Sequence, residues 1–104
     1  MANFDFESGK RHLDDGDVAS AIRCFLASLE MDPSFAPAYL ELFRAYAVAW
    51  EESGDPLVLD QMRKVAIAGL KRSPEPKIEA MLQDGLDRTE RMILEVQESE
   101  EAED

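Results

Sequence analysis

The sequence has very few of the residues that build metal and catalytic centres. Its 104 residues include one cysteine, Cys24, and one histidine, His12. A single cysteine excludes an internal disulfide and a cysteine-based zinc site, and a single histidine argues against a histidine-rich metal site. The sequence also lacks a phosphate-binding glycine loop, a G-x-S-x-G turn and an H-E-x-x-H pair. We therefore expect a protein that is not an enzyme and that uses no cofactor or metal ion.

Basic residues and long apolar runs are also scarce. The chain has 11 lysines and arginines against 23 aspartates and glutamates, which gives a formal net charge of -12. Such an acidic surface repels phosphate backbones, so a nucleic acid is a poor partner. No apolar run approaches the roughly 18 residues that cross a membrane, and residues 1–10 lack the apolar segment of a secretory signal. The composition favours a cytoplasmic protein without a membrane partner.

Residues that favour β-strands are few as well, and this shortage predicts an all-α fold. Valine, isoleucine and threonine together number 10, whereas alanine and glutamate number 13 each and leucine 11. Clusters of glycine, proline and aspartate then divide the chain into five helical segments. The first helix is predicted to begin near residue 4, and the others to span about 18–31, 35–52, 56–72 and 76–97.

Turn chemistry predicts how several of these helices begin and end. Gly16 suits the left-handed conformation that closes a helix, and Asp17 can cap the next helix with its carboxylate. Ser34 has the side chain of a good N-cap for the third helix. Gly54 and Asp55 repeat the terminating glycine and the capping aspartate before the fourth helix. Because such short connections force consecutive helices to lie antiparallel, the first four helices are expected to form two hairpins.

The two predicted hairpins, at 4–31 and 35–72, share a sequence pattern. Pro33 and Pro74 follow their second helices 41 residues apart. At matching offsets before these prolines lie Ala21, Phe25 and Ser28 in the first hairpin and Met62, Ala66 and Gly69 in the second. Further matches are Gly9-x2-His12 in the first unit and Tyr39-x2-Leu42-Phe43-x2-Tyr46 in the second. This pattern resembles the tetratricopeptide repeat (TPR), which reads W-x2-L-G-x2-Y, A-x3-F and P over about 34 residues.

The TPR resemblance implies an α-solenoid of two antiparallel hairpins with a long C-terminal capping helix. In that family the first helix of each hairpin lines a concave groove that receives an extended peptide or a partner helix. Carried over by motif alignment, the groove residues are Phe6, Lys10, Leu13, Leu40, Arg44 and Ala47, together with Asn3 and Pro37. The implied function is a non-enzymatic protein–protein interaction module or scaffold. Because Lys10 and Arg44 would attract carboxylates, its partner is expected to carry acidic and apolar residues.

The fifth helix is predicted to carry a wide apolar stripe that includes Ile78, Leu82 and Val96. The small residues Gly85 and Thr89 in the middle of this stripe would let another helix come close. The stripe either caps the second hairpin or joins two copies as a homodimer, which would make the protein a self-assembling structural unit. A third interpretation is a small acidic chaperone that masks an apolar segment of a client protein.

The end of the sequence is strongly acidic. Residues 98–104 contain five acidic side chains and no large apolar one. This composition predicts a single domain at residues 1–97, followed by a disordered acidic tail at 98–104.

Overall fold

A computed structural model describes residues 4–72 and 75–102, and this part of the chain is all-α. It forms five helices: α1 (Phe4–Asp14), α2 (Val18–Met31), α3 (Ala36–Ser53), α4 (Pro56–Arg72) and α5 (Pro76–Ala102). No strand occurs among the described residues. Consecutive helices pack against each other, and α3 also touches α1 and α5. The predicted fold class, two helical hairpins followed by a long fifth helix, is confirmed.

Both hairpin turns use the residues that the sequence predicts. Gly16 and Gly54 have φ values of 84° and 65°, in the left-handed region that glycine enters without a Cβ clash. Asp17 is the N-cap of α2, and its carboxylate accepts a 3.2 Å hydrogen bond from the backbone N–H of Ser20. Hydrogen bonding from the Ser20 side chain and backbone lowers the pKa of Asp17. Asp55 likewise accepts a 3.0 Å hydrogen bond from a backbone N–H in the first turn of α4.

The prediction that Ser34 caps α3 is wrong. The N-cap of α3 is Phe35, which makes no side-chain capping hydrogen bond. Ser34 instead donates from its backbone N–H and its hydroxyl to Oδ1 of Asp32, at 3.2 and 2.8 Å. The aspartate therefore holds the serine in the turn before the helix, because a short carboxylate competes well for local donors. The Tyr39 hydroxyl donates to the Pro33 carbonyl at 2.7 Å and fastens the start of α3 to this turn.

The last helix is longer than the sequence pattern predicts. α5 ends at Ala102, so residues 98–102 are helical rather than part of a disordered tail. Neither glycine nor proline follows Gly85, and the glutamates and alanine of this segment have high helix propensity. Asn3, the predicted break at 73–74 and residues 103–104 lie outside the described residues.

The first core cluster is built on aromatic rings. Phe25 is fully buried and Phe6 is 9% exposed, with their ring centroids 5.9 Å apart. Phe35 packs edge-on against Phe6 at 5.0 Å. Gly9 makes room for Phe25, because a Cβ at Gly9 would lie 2.6 Å from Cε1 of the ring. Completely buried alanines on α2 and α3 complete the cluster.

The second core cluster joins α3, α4 and α5, and its buried residues include Tyr39 and Leu82. Gly69 of α4 touches both, since an added Cβ would lie 2.6 Å from Cδ1 of Leu82 and 2.9 Å from Cβ of Tyr39. The repeat positions Met62, Ala66 and Gly69 are all buried, as are Ala21, Phe25 and Ser28. The matching offsets in the two hairpins therefore mark matching core positions.

Candidate functional site

The structure separates the six predicted groove residues into two groups of three, and the three on α1 do not form an open surface. Phe6 is buried in the aromatic cluster, and Leu13 is half-buried against the same cluster. The Lys10 ammonium lies 5.4 Å from the centroid of the Phe6 ring, which is within cation–π range. Phe6 is therefore a core residue that Lys10 covers, and a partner cannot reach it without opening the core.

The three predicted residues on α3 do come together on an open surface. Leu40, Arg44 and Ala47 lie about one turn apart along the helix and line a groove between α3 and α5. The groove has a volume of about 420 Å³. Pro37, one turn earlier, is half-buried and is not among the lining residues. Half of the predicted site thus lies in a real groove, although α5 rather than α1 forms its opposite wall.

This groove, called the methionine groove below, has walls from three helices. The lining residues are Leu40, Phe43, Arg44 and Ala47 of α3, Met62 of α4, and Met81, Asp84, Gly85, Arg88, Thr89 and Met92 of α5. Three of the five methionines in the chain are in this set. Methionine is unbranched, flexible and polarisable, and its side chain adapts to apolar surfaces of different shape. The groove therefore offers an apolar lining that can adjust to a bound segment.

A close contact between α5 and α3 forms the base of the methionine groove. A Cβ at Gly85 would lie 2.8 Å from Cζ of Phe43, so the phenylalanine ring fits directly against the glycine. Thr89 is fully buried, and its hydroxyl donates to the Gly85 carbonyl at 2.7 Å. The close approach predicted for these small residues of α5 is therefore made with a helix of the same chain.

Two arginines flank the methionine groove, and each is paired with a carboxylate of its own helix. Nη1 of Arg44 lies 3.0 Å from Oε1 of Glu41, and Nε of Arg88 lies 3.2 Å from Oδ2 of Asp84. Arg88 and Asp84 are 72% and 63% exposed, and an exposed pair of this kind contributes at most about 1 kcal/mol. A partner carboxylate can therefore compete for the Arg88 guanidinium at low cost, whereas Arg44, 52% exposed, is paired with the less exposed Glu41. These four charges sum to zero in a chain whose net charge is -12.

A second opening, called the α4–α5 cleft below, has a volume of about 300 Å³. It is lined by Pro56, Leu59, Asp60 and Arg63 of α4 and by Ile93, Val96, Gln97 and Glu100 of α5. It lies between the first two turns of α4 and the C-terminal part of α5. Arg63 and Lys64 both bind the Asp60 carboxylate at 3.0 Å. Hydrogen bonds from Lys64 and then Arg63 lower the pKa of Asp60.

The contribution of α5 to the methionine groove is the part that motif alignment missed. Met81, Arg88 and Met92 have no counterpart in the two matched hairpins, which end before α5 begins. The available signal was the order of the helices. Because α5 follows α4 as α3 follows α2, it occupies the position that the first helix of a third hairpin would have in a stack of hairpins. A groove lined by such helices then extends to α5.

No group of three or more histidine, cysteine or acidic side chains in residues 4–72 and 75–102 could hold a metal ion. None of the helices in the described part of the chain is both long and apolar enough to cross a membrane. No protein-family model matches the chain, and a comparison with curated proteins finds no similar sequence.

Proposed function

We propose that this protein is a non-enzymatic, cytoplasmic protein-interaction module of the TPR type, and that its methionine groove binds a helix or extended peptide of a partner protein. The observation that carries the proposal is an open, methionine-lined groove of about 420 Å³ with an arginine from each of two helices. Helix-in-groove recognition places apolar anchors of the partner in a lining of this kind. The matching burial of the repeat positions in both hairpins supports the TPR-like architecture.

The chemistry of the groove favours a partner segment that combines apolar and acidic residues. Apolar anchors would pack on Met81 and Met92, and carboxylates would pair with Arg44 and Arg88. A guanidinium binds a carboxylate through two parallel hydrogen bonds, which gives orientation as well as attraction. With their partners Glu41 and Asp84 these arginines carry no net charge, so an acidic partner meets little repulsion there in a chain of net charge -12.

The test begins with a peptide library displayed on phage and selected against the immobilised protein. Enriched peptides are labelled, and their binding to purified variants is measured by fluorescence anisotropy. Met81 is 39% exposed, so Met81→Asp places a carboxylate in the groove without emptying the core. Leu26 of α2 is 44% exposed and lies outside the groove, which makes Leu26→Asp the matched control. We expect Met81→Asp to weaken binding about tenfold or more and Leu26→Asp to leave it unchanged.

A charge-reversal pair tests the role of the arginines. Arg44→Glu should weaken binding and reduce its dependence on salt, because opposite charge across the groove attracts the partner. Lys10→Glu makes the same change in charge on α1, next to Phe6 and away from the groove. Equal losses from the two reversals, or full binding by Met81→Asp, would show that the partner lies elsewhere.

A further inference from the structure

The α4–α5 cleft is an apolar opening that the proposed function does not use. Its lining residues Ile93 and Val96 are half-buried, although they belong to the stripe that packs α5 against α4. Leu94 is 58% exposed and lies in an adjoining depression that shares Ile93 and Arg63 with the cleft. Leu57, next to the lining residue Pro56, is 72% exposed. Apolar side chains are therefore frequent where the C-terminal part of α5 lies beside the first turns of α4.

The carboxylates of Asp60 and Glu100 line this opening, and further acids lie in the adjoining parts of the sequence. The two segments that contain its lining residues, 51–64 and 90–100, hold eight acidic and three basic side chains. Seven of these acids are exposed and form no ion pair in the described part of the chain. The eighth is Asp60, which already binds two of the three bases, Arg63 and Lys64. The cleft thus combines an apolar lining with a negative field that its own bases do not cancel.

We propose that the α4–α5 cleft binds a basic amphipathic helix of a partner protein. The apolar face of that helix would pack on Ile93 and Val96, while its lysines and arginines would meet the exposed carboxylates. Burial of apolar surface holds such a helix, and opposite charge speeds its association and excludes acidic competitors. A second copy of this chain is a poor occupant, because acids outnumber bases by more than two to one along the sequence and would face each other.

This inference stands independently of the proposed function. The cleft and the methionine groove share no lining residue, so each can be altered without touching the other. They also differ in charge, since the charged lining residues of the groove are Arg44, Arg88 and Asp84, whereas those of the cleft are Asp60, Glu100 and Arg63. Two partners of opposite charge can then be told apart by separate variants.

The probe is a labelled amphipathic peptide of leucine and lysine, about 18 residues or five helical turns long. Two further peptides serve as controls: a scrambled sequence of the same composition, and an amphipathic peptide of leucine and glutamate. Binding to the full chain is followed by fluorescence anisotropy at low and physiological salt. We expect the leucine–lysine peptide to bind about tenfold or more tightly than either control, and more weakly as the salt concentration rises.

Matched charge reversals locate the binding site. The cleft variant carries Glu95→Lys, Glu98→Lys and Glu100→Lys, and its control carries Glu7→Lys, Glu30→Lys and Glu79→Lys, which are also exposed. Both variants change the net charge equally, and circular dichroism verifies that both remain helical. The cleft variant should lose about tenfold or more in affinity, and the control less than threefold. Val96→Ser, which alters only the apolar lining, should also weaken binding.

Four results would overturn the proposal. Equal losses from the two charge-reversal variants, or equal affinity for the scrambled peptide, would mean that net charge alone holds the probe. A loss caused by Met81→Asp would place the peptide in the methionine groove. A dimer in analytical ultracentrifugation that the cleft variant dissociates would assign the surface to a second copy.

Discussion

The N-terminal and C-terminal halves of the molecule are built from similar hairpins, yet they leave very different surfaces. In the N-terminal half the rings of Phe6, Phe25 and Phe35 fill the space between helices. In the C-terminal half the residue that matches Phe25 is Ala66, Tyr39 is buried in the second core cluster, and the half-buried ring of Phe43 lies against Gly85 of α5. The first half is therefore packed around an aromatic cluster, whereas two open clefts lie beside α5 in the second half.

The contrast shows that similar hairpins can fill the space between their helices or leave it open, depending on where the large side chains lie. A buried ring adds stability because it removes area from water and fills volume. Small residues at the same position let helices approach but leave flanking space, which the methionines of α5 only partly occupy. The proposed binding surfaces are therefore in the half of the molecule with fewer buried rings.

Removal of an aromatic ring should have the largest effect, and it should depend strongly on the half. Phe25→Ala should lower the free energy of unfolding by about 3–5 kcal/mol, because the ring is fully buried and its loss leaves a cavity. Phe43→Ala removes a half-buried ring that lines the methionine groove, so the free energy of unfolding should fall by less than half as much. Urea unfolding measures both. A loss below about 1 kcal/mol for Phe25→Ala would contradict the packing described here.

Added methyl groups should produce a smaller contrast between the two halves, in the same direction. At Gly9 the new Cβ would lie 2.6 Å from the ring of Phe25, which has no room to move. Gly9→Ala should therefore lower the free energy of unfolding by about 1 kcal/mol or more, despite the better helix propensity of alanine. At Gly85 the new Cβ meets the outer end of Phe43, which can turn toward the groove. Gly85→Ala should change stability by less than about 0.5 kcal/mol, and thermal melts of both variants compare them.

Loss of the cap at the turn of the first hairpin should have a modest, pH-dependent effect. Because hydrogen bonding lowers the pKa of Asp17 in the folded state, its stabilisation is present above the unfolded-state pKa. That stabilisation disappears as the pH falls through the lower, folded-state pKa. Asp17→Ala should thus lower the Tm at neutral pH and converge with the wild type in acid. Asp15→Ala, an exposed neighbour, serves as the control, and a constant difference at every pH would contradict the carboxylate cap.

Deletion of residues 98–104 should have the smallest effect on stability. Residues 98–100 are exposed, and the deleted segment contains no large apolar side chain, so no core burial is lost. We expect an unchanged Tm in calorimetry, although the deletion removes acids near the α4–α5 cleft. A large drop in Tm would show that this segment docks on the domain.

Much of the fold could be predicted from local sequence, because local residues control helix ends. Gly16 and Gly54 allow the positive φ of the two hairpin turns. Asp17 and Asp55 accept hydrogen bonds from backbone N–H groups in the first turn of the following helix, and both effects depend only on nearby residues. The exceptions are instructive. Ser34 does not cap α3 because its backbone N–H and hydroxyl donate to the Asp32 carboxylate instead. α5 continues past residue 97 because no glycine or proline follows there to end it.

The candidate site could be predicted only in part, because periodicity tells which face of a helix is apolar but not which neighbour covers it. Phe6 and Leu40 both fitted a groove position by alignment with the TPR pattern. Only the tertiary packing buries Phe6 under Lys10 and leaves Leu40 beside α5.

The sequence by itself determined the all-α class, the two hairpin turns and nearly all helix boundaries, since these depend on propensity and capping within a few residues. It also determined the charge imbalance that shapes both proposed partners. Only the tertiary structure decided that the Phe43 ring lies on Gly85 and that Ile93 and Val96 lie beside the first turns of α4. Those outcomes depend on side-chain volume and helix overlap between segments far apart in the chain, and they create the methionine groove and the α4–α5 cleft.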